Sequence, residues 1–316
     1  MKTPKEKGPS TPMLDPSGVL SVESFSGRID RYASAKQRGL HTQEYLKSIN
    51  CECDSALSKP IFRLEKCGSY LLFHHYLQQN EHRLTAADFC MQHLLCPLCA
   101  IRRGAKALQA YLLRYEAIRA SNGHLRPFLA TLTVKDGENL AERFSHLQKA
   151  VKALGKRRSG RNSGKSTWCS ALAGVGSYEI KRGEGSGLWH PHIHFVILCD
   201  PNNPVNQFKL SKEWKEITGD SKVVDVRPID DSEGRLVDGF QEVFKYACKF
   251  STMEQKDLYD AWRLLKGTRL LTSFGLFWGV EVPDSLMDEK LDGEYIEHLY
   301  RFNRLTSKYI EESRET

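Results

Sequence analysis

Residues 189–199 read Trp189-His190-Pro191-His192-Ile193-His194-Phe195-Val196-Ile197-Leu198-Cys199, and residues 174–181 read Gly174-Val175-Gly176-Ser177-Tyr178-Glu179-Ile180-Lys181. Both runs are rich in β-formers, and the glycine-rich turn Arg182-Gly183-Glu184-Gly185-Ser186-Gly187 joins them, so an antiparallel hairpin is expected. Side chains alternate along an extended chain, which places His190, His192 and His194 on one face and turns Ile193 and Phe195 into a core. In the preceding strand the apolar neighbours Tyr178 and Ile180 leave Glu179 on the other face, which can be the histidine face. Two imidazoles and a carboxylate suit a divalent metal. His192, His194 and Glu179 are the expected ligands, and His190 is grouped with them as a contact to a ligand or to substrate.

Outward from the hairpin, the alternation of Arg126-Pro127-Phe128-Leu129-Ala130-Thr131-Leu132-Thr133-Val134 predicts another strand, and Val223–Pro228 a short one. Helical periodicity is read over Ala100–Ser121, Glu138–Leu154, Leu210–Thr218, Phe240–Phe250 and Glu254–Leu265. Strands alternating with helices in this order imply an α+β fold, an antiparallel sheet with helices packed on one face, preceded by a small zinc-binding region. The expected divisions are a disordered or helical arm over 1–48 with a short helix near Arg28–Gln43, a cysteine-rich zinc region with the start of a basic helix over 49–105, a core over 106–255, and a charged helical region over 256–316.

The segment Glu242-Val243-Phe244-Lys245-Tyr246-Ala247-Cys248-Lys249 places Glu242, Tyr246 and Lys249 at i, i+4 and i+7, one face of a helix. A phenol has an ordinary pKa near 10 and needs help to attack phosphorus at neutral pH. A metal could position the phosphate, Lys249 could stabilise developing negative charge, and Glu242 is spaced to act as a general base. Alone this helix says little, since aromatic residues at helical spacing are usually core. Beside the histidine strand it suggests cleavage of a phosphodiester.

Nine cysteines are present, six of them between Cys51 and Cys99. Cys96-Pro97-Leu98-Cys99 is a tight thiolate knuckle, Cys90 precedes it, and Cys67 is the expected fourth ligand, with Cys51, Cys53, His82 and His93 as substitutes. Four soft donors suit a tetrahedral structural zinc. Arg102 and Arg103 follow directly. The basic stretch Gly155-Lys156-Arg157-Arg158-Ser159-Gly160-Arg161-Asn162-Ser163-Gly164-Lys165 is read as a loop. All of these cations are expected to meet DNA phosphates: Arg102, Arg103, Lys156, Arg157, Arg158 and Arg161. Lys plus Arg number 46 against 39 Asp plus Glu, a net charge of +7, which by itself is weak evidence for a polyanionic partner. No apolar run approaches the roughly 18 to 20 residues of a membrane span, and a cytoplasmic location without membrane contact is expected.

Taken in order, Cys67-Gly68, Phe89-Cys90, Cys96-Pro97-Leu98-Cys99, Phe128–Thr133, Glu179-Ile180-Lys181, His190–His194, the Glu242/Tyr246/Lys249 set and Gly267-Thr268-Arg269-Leu270 with Phe274-Gly275 resemble the plasmid rolling-circle replication initiators of the HUH endonuclease superfamily. The likeness is to the group with a single catalytic tyrosine and an upstream cysteine cluster, and it spans about residues 60–280. It implies an HUH endonuclease-like fold and a nicking and joining enzyme at a plasmid origin, using Mg or Mn. Tyr246 would attack a backbone phosphate in single-stranded or hairpin DNA, leaving a 5′-phosphotyrosyl link and a free 3′-OH. Glu242 would let water end the cycle, and a host helicase and polymerase would be partners. Other readings are an HUH transposase or relaxase, a histidine-triad nucleotide hydrolase with His192 as nucleophile, and a non-catalytic zinc DNA-binding regulator.

Overall fold

The hairpin read from the sequence forms the centre of a five-stranded antiparallel sheet. The computed structural model describes residues 24–50, 56–159, 166–230, 235–244 and 253–312. Strands β1 (Tyr70–Tyr76) and β2 (Glu81–Ala87) are followed by β3 (Arg126–Thr133), β4 (Ala173–Arg182), β5 (Trp189–Cys199), β6 (Val224–Pro228), β7 (Leu271–Gly275), β8 (Tyr295–Asn303) and β9 (Lys308–Glu312). The larger sheet has the order β6-β3-β5-β4-β7 and a smaller one the order β2-β1-β8-β9. Helices are α1 (Phe25–Ile49), α2 (Ser58–Lys66), α3 (Pro97–Ser121), α4 (Leu140–Ser159), α5 (Gln207–Thr218), α6 (Arg235–Phe244) and α7 (Gln255–Leu265).

The α+β architecture is the expected one, but helices cover both faces of the larger sheet. Ile193, Phe195 and Ile197 pack with Phe144 and Leu147 of α4 and Trp214 of α5. The alternate residues Val196 and Leu198 pack with Leu108 and Tyr111 of α3 and with Phe240 and Val243 of α6. Strand β5 is apolar on both sides beyond His194, so it needs cover on both. Trp214 is fully buried because its indole N–H donates to the Thr133 carbonyl at 2.7 Å, leaving no polar group unmet.

Two expectations at the chain's ends are corrected. Instead of a short helix in a loose arm, α1 runs the whole of Phe25–Ile49 and is packed in. Its buried face includes Arg28, Lys36, Thr42 and Gln43, which hides the apolar stripe from a reading of periodicity. Three of these side chains are anchored: an Arg28 terminal amine donates to the His82 carbonyl at 2.8 Å, Lys36 to the Glu65 carbonyl at 2.8 Å, and Gln43 to the Glu65 carboxylate at 3.1 Å. At the other end, the expected helical region is helical only over α7. Strand β8 pairs antiparallel with the whole of β1, Tyr70 opposite Arg301 through Tyr76 opposite Tyr295. The charged residues there suggested helix, but strand preference depends on the partner surface, and β1 supplies one.

The expected boundary at 105 falls inside α3. The expected loop over Lys156–Lys165 is, as far as Ser159, the last turns of α4; residues 160–165, with Arg161, lie outside the described residues. Residues 1–23, Cys51 and Cys53 also lie outside them. Among the described residues no helix is long and apolar enough to cross a membrane.

Candidate active site and metal centres

The β4–β5 register sets Glu179 directly opposite His192, and the β3–β5 register sets Thr131 opposite His194. Glu179 Oε2 lies 3.4 Å from His192 Nε2 and 3.3 Å from His194 Nε2. One atom from each of the three side chains therefore converges on a common point, as metal ligands must. The other ring nitrogens are occupied. His194 Nδ1 lies 2.9 Å from Thr131 Oγ1, and His192 Nδ1 lies 3.3 Å from the His190 carbonyl. The His190 carbonyl can only accept, which sets the His192 proton on Nδ1 and presents Nε2 to a cation, and the Thr131 hydroxyl can accept from His194 Nδ1 in the same way. Burial lowers the His192 pKa below its ordinary value against the pull of Glu179, so the neutral, ligating form is favoured. The donor set fits the divalent metal expected here.

His190 is placed differently. It shares the face, its ring centroid 5.2 Å from that of His192, but its Nδ1 lies 2.5 Å from Asp136 Oδ1 and it is not one of the converging three. Burial would raise the Asp136 carboxyl, yet hydrogen bonds from Ser186 and His190 hold it below its usual range. Asp136 and Thr131 are the residues sequence reasoning missed. Thr131 could have been found, since alternation along β3 puts it on a defined face; Asp136 lies in the β3–α4 connection, where no period operates. The nucleotide-hydrolase reading loses its footing in this geometry. His192, its required nucleophile, is 4% exposed with Nε2 turned to Glu179.

Helix α6 lies on the histidine face, because Phe240, Val243 and Phe244 pack with Val196 and Leu198, the residues that continue the His192/His194 side of β5. Glu242 is on this helix. Tyr246 and Lys249, with residues 245–252, lie outside the described residues. The end of α6 presses on α3 so closely that a Cβ at Gly104 would come within 2.6 Å of the Phe244 carbonyl oxygen. A cleft lined by Arg103, Gly104, Ser177, Val243 and Phe244 opens beside it, and Ser177 is paired with His194.

The cysteines assemble as read. Cys67 closes α2, Cys90 follows β2, and Cys96 caps α3 with Cys99 in its first turn. The Cys67–Cys96, Cys67–Cys99 and Cys90–Cys99 sulfur separations are each 3.5 Å. A tetrahedron with Zn–S bonds of about 2.3 Å has edges of about 3.8 Å, so the four buried sulfurs fit a structural metal such as zinc. Hydrogen bonds from Cys67, Cys90 and Cys99 hold the Cys96 thiol well below its ordinary pKa, while hydrogen bonding to Cys90 and Cys96 pushes Cys67 up. The N-terminus of α3 also favours negative sulfur. Gly68 has φ +65, and a Cβ there would meet Leu98 at 2.5 Å and the Tyr309 hydroxyl at 2.8 Å. That hydroxyl donates to the Gly68 carbonyl at 2.8 Å, so β9 closes over the knuckle. Of the substitute ligands, His82 belongs to another cluster and His93 is not in this one.

The expected DNA contacts divide. Arg102 cannot reach phosphate: its side chain is 1% exposed, bonded to Asp288 Oδ1 at 2.5 Å, to the Leu286 carbonyl at 2.8 Å and to the Tyr32 hydroxyl at 3.0 Å. A buried guanidinium needs such partners, and the folded-back tail supplies two of them. Arg103 is partly exposed at the cleft and donates to the Pro283 carbonyl at 2.7 Å. Arg157 is paired with Glu216 at 2.9 Å and Arg158 lies over the Phe274 ring at 4.4 Å, while Lys156 is exposed. Phe274 is opposite Gly174, five positions along β4 from Glu179, so Arg158 sits about 17 Å along the sheet from Glu179, and α4, which carries all three cations, packs on the Ile193/Phe195 face opposite the histidines.

Residues 81–311 match the family model described as Replication protein. No curated protein and no solved structure matches the chain.

Proposed function

The chain belongs to the replication-protein family of rolling-circle plasmid initiators, and on that premise we propose that it is a site-specific, metal-dependent DNA nickase and strand transferase. The observation that supports this most is the convergence of Glu179, His192 and His194 on the sheet face that α6 covers. Glu179, His192 and His194 would hold Mg or Mn, which when bound supplies Lewis-acid polarisation of the scissile phosphate.

Tyr246 begins two residues beyond Phe244, the last residue of α6, and is the proposed nucleophile. Its oxygen would form a bond to phosphorus as the phenolic proton passes to water, and the bond from phosphorus to the 3′-oxygen of the preceding nucleotide would break, that oxygen taking a proton from water. The products are a 5′-phosphotyrosyl protein and a free 3′-OH, suited to extension by a host polymerase behind a host helicase. Lys249 would stabilise charge on the phenolate. Glu242 would take a proton from water in the hydrolysis that ends the cycle. His190, held by Asp136, is left to contact substrate, and Arg103 is the cation best placed for a DNA phosphate. Lys156 and Arg157 would meet DNA backbone well away from the cut. A cytoplasmic location accords with a plasmid origin as substrate.

The test is covalent capture. Full-length protein is incubated with origin plasmid or an origin hairpin oligonucleotide and Mn, and the products are run on a denaturing gel. A DNA–protein adduct is expected from the wild type and none from Tyr246→Phe, which should still bind DNA. Glu242→Ala should nick normally but release hydrolysed product slowly. An adduct formed by Tyr246→Phe would overturn the assignment of the nucleophile.

A further inference from the structure

The smaller sheet carries a second group of imidazoles that the nicking reaction leaves unused. His75 of β1 is directly opposite His82 of β2, and their rings stack with centroids 4.0 Å apart and planes 7° from parallel. His298 of β8 is opposite Phe73, two residues along β1, so alternation returns it to the His75 face. Its ring centroid lies 6.0 Å from that of His75 and 5.9 Å from that of His82. One ring nitrogen of each lies within 4.8 Å of one from each of the others. All three are half-buried.

Two of the rings are anchored at one nitrogen. His75 Nε2 lies 3.0 Å from Asn80 Oδ1, which leaves Nδ1 for another partner. His298 Nδ1 lies 2.5 Å from Glu311 Oε1 on β9, and Glu311 in turn accepts from the Tyr300 hydroxyl at 3.2 Å. His298 Nε2 is buried and has no hydrogen-bond partner. A carboxylate on one ring nitrogen with the other bare is how proteins orient an imidazole toward a metal and raise its basicity. A buried, unmet acceptor is otherwise costly, and a cation would meet it. The ring of Phe25, stacked on His82 at 3.8 Å, shields the site from one side.

We propose that His75, His82 and His298 form a further metal centre, for a borderline divalent ion of the zinc, nickel or copper kind. Three imidazoles with no carboxylate in the set select such ions over Mg and Mn, unlike the Glu179 site. Zn–N bonds of about 2.0 to 2.1 Å give tetrahedral edges of about 3.4 Å, so the stacked His75 and His82 rings must turn out of parallel on metal binding to close the trio, leaving a fourth position for water. The ion would tie β8 to the β1–β2 hairpin, fastening the chain's C-terminal strands to its cysteine-rich segment.

The test uses the full chain with its cysteine quartet loaded with zinc and Ni²⁺ as the probe. Calorimetric titration of His192→Ala/His194→Ala protein, in which the nuclease site is removed, should retain one Ni²⁺ site. Adding His75→Gln or His298→Gln should weaken that site at least tenfold. Nickel should also raise the melting temperature of the double variant and leave that of the His75→Gln triple variant unmoved. X-ray absorption at the nickel edge should show imidazole scattering without sulfur. If His298→Gln does not fold, His75→Gln, on the edge of an exposed hairpin turn, carries the test. Absence of the site in the His192→Ala/His194→Ala protein, equal affinity in the His75→Gln variant, or sulfur coordination would overturn the proposal.

Discussion

Glu179 and His192 face each other across the β4–β5 ladder, with Glu179 Oε2 3.4 Å from His192 Nε2. A two-residue strand period on each side of a fixed turn makes this pairing, and the same period brings His194 Nε2 to within 3.3 Å of the same oxygen. The ligands of the candidate catalytic metal are thus set by strand register rather than by loop conformation, which favours rigidity at the site.

Thr131 tests how far that rigidity depends on a neighbouring strand. Thr131→Val keeps the shape of the side chain but removes the oxygen beside His194 Nδ1. Mn affinity should fall about tenfold, with nicking falling in step at limiting metal. Stability should change little. Calorimetry with Mn on the variant checks this, and unchanged affinity would mean that Thr131 does not orient the ring.

Arg102 and Arg103 are adjacent in sequence and should behave oppositely. Arg102→Leu leaves Asp288 buried without its guanidinium, a loss of about 3 to 5 kcal/mol in chemical denaturation. Arg103→Ala should leave stability within about 0.5 kcal/mol and weaken DNA binding with a shallower salt dependence. A stable Arg102→Leu protein defective only in DNA binding would refute this division.

Removing the quartet metal should be felt at the far end of the chain. Cys96→Ser is expected to lose one equivalent of zinc and to lose amide-exchange protection over residues 58–105. Protection should fall over 295–312 as well, because Tyr309 of β9 bonds the Gly68 carbonyl beside Cys67. Exchange confined to 58–105 would show that β9 is held independently.

Asp220 should account for part of the acid limb of stability. Burial would raise its carboxyl, but the hydrogen bond and charge of Arg143 hold it below the usual 3.8. A carboxylate depressed in the folded state stabilises fully above its unfolded pKa, and that contribution is lost as pH falls through the folded value. Asp220→Asn should therefore destabilise at pH 7, with the gap from wild type closing below about pH 4. A gap constant with pH, measured by urea denaturation, would exclude the Arg143 pair as its source.

What the sequence determined by itself was local and periodic. The alternation of His190–Phe195 and of Tyr178–Lys181, with a glycine-rich turn between, announced the hairpin and a histidine face that Glu179 could share, and the strand register then set Glu179 opposite His192. The spacing of Cys96 and Cys99, with Cys90 upstream, likewise announced a thiolate knuckle, while the choice of Cys67 over its substitutes as fourth member came from the folded chain. Tertiary structure decided the rest, because it depended on partners distant in the chain. Strand β8 exists because β1, more than two hundred residues earlier, offers it a ladder. Arg102 is a core cation because Asp288 returns to meet it, and α1 conceals its packed face behind polar side chains whose partners lie on α2 and β2. His75 and His298 are unremarkable in the sequence and His82 read only as a substitute ligand for the cysteines, so only the pairing of three strands makes them neighbours. Periodicity reports which way a side chain points; what it meets there is settled by long-range packing, whose free energy no local window contains.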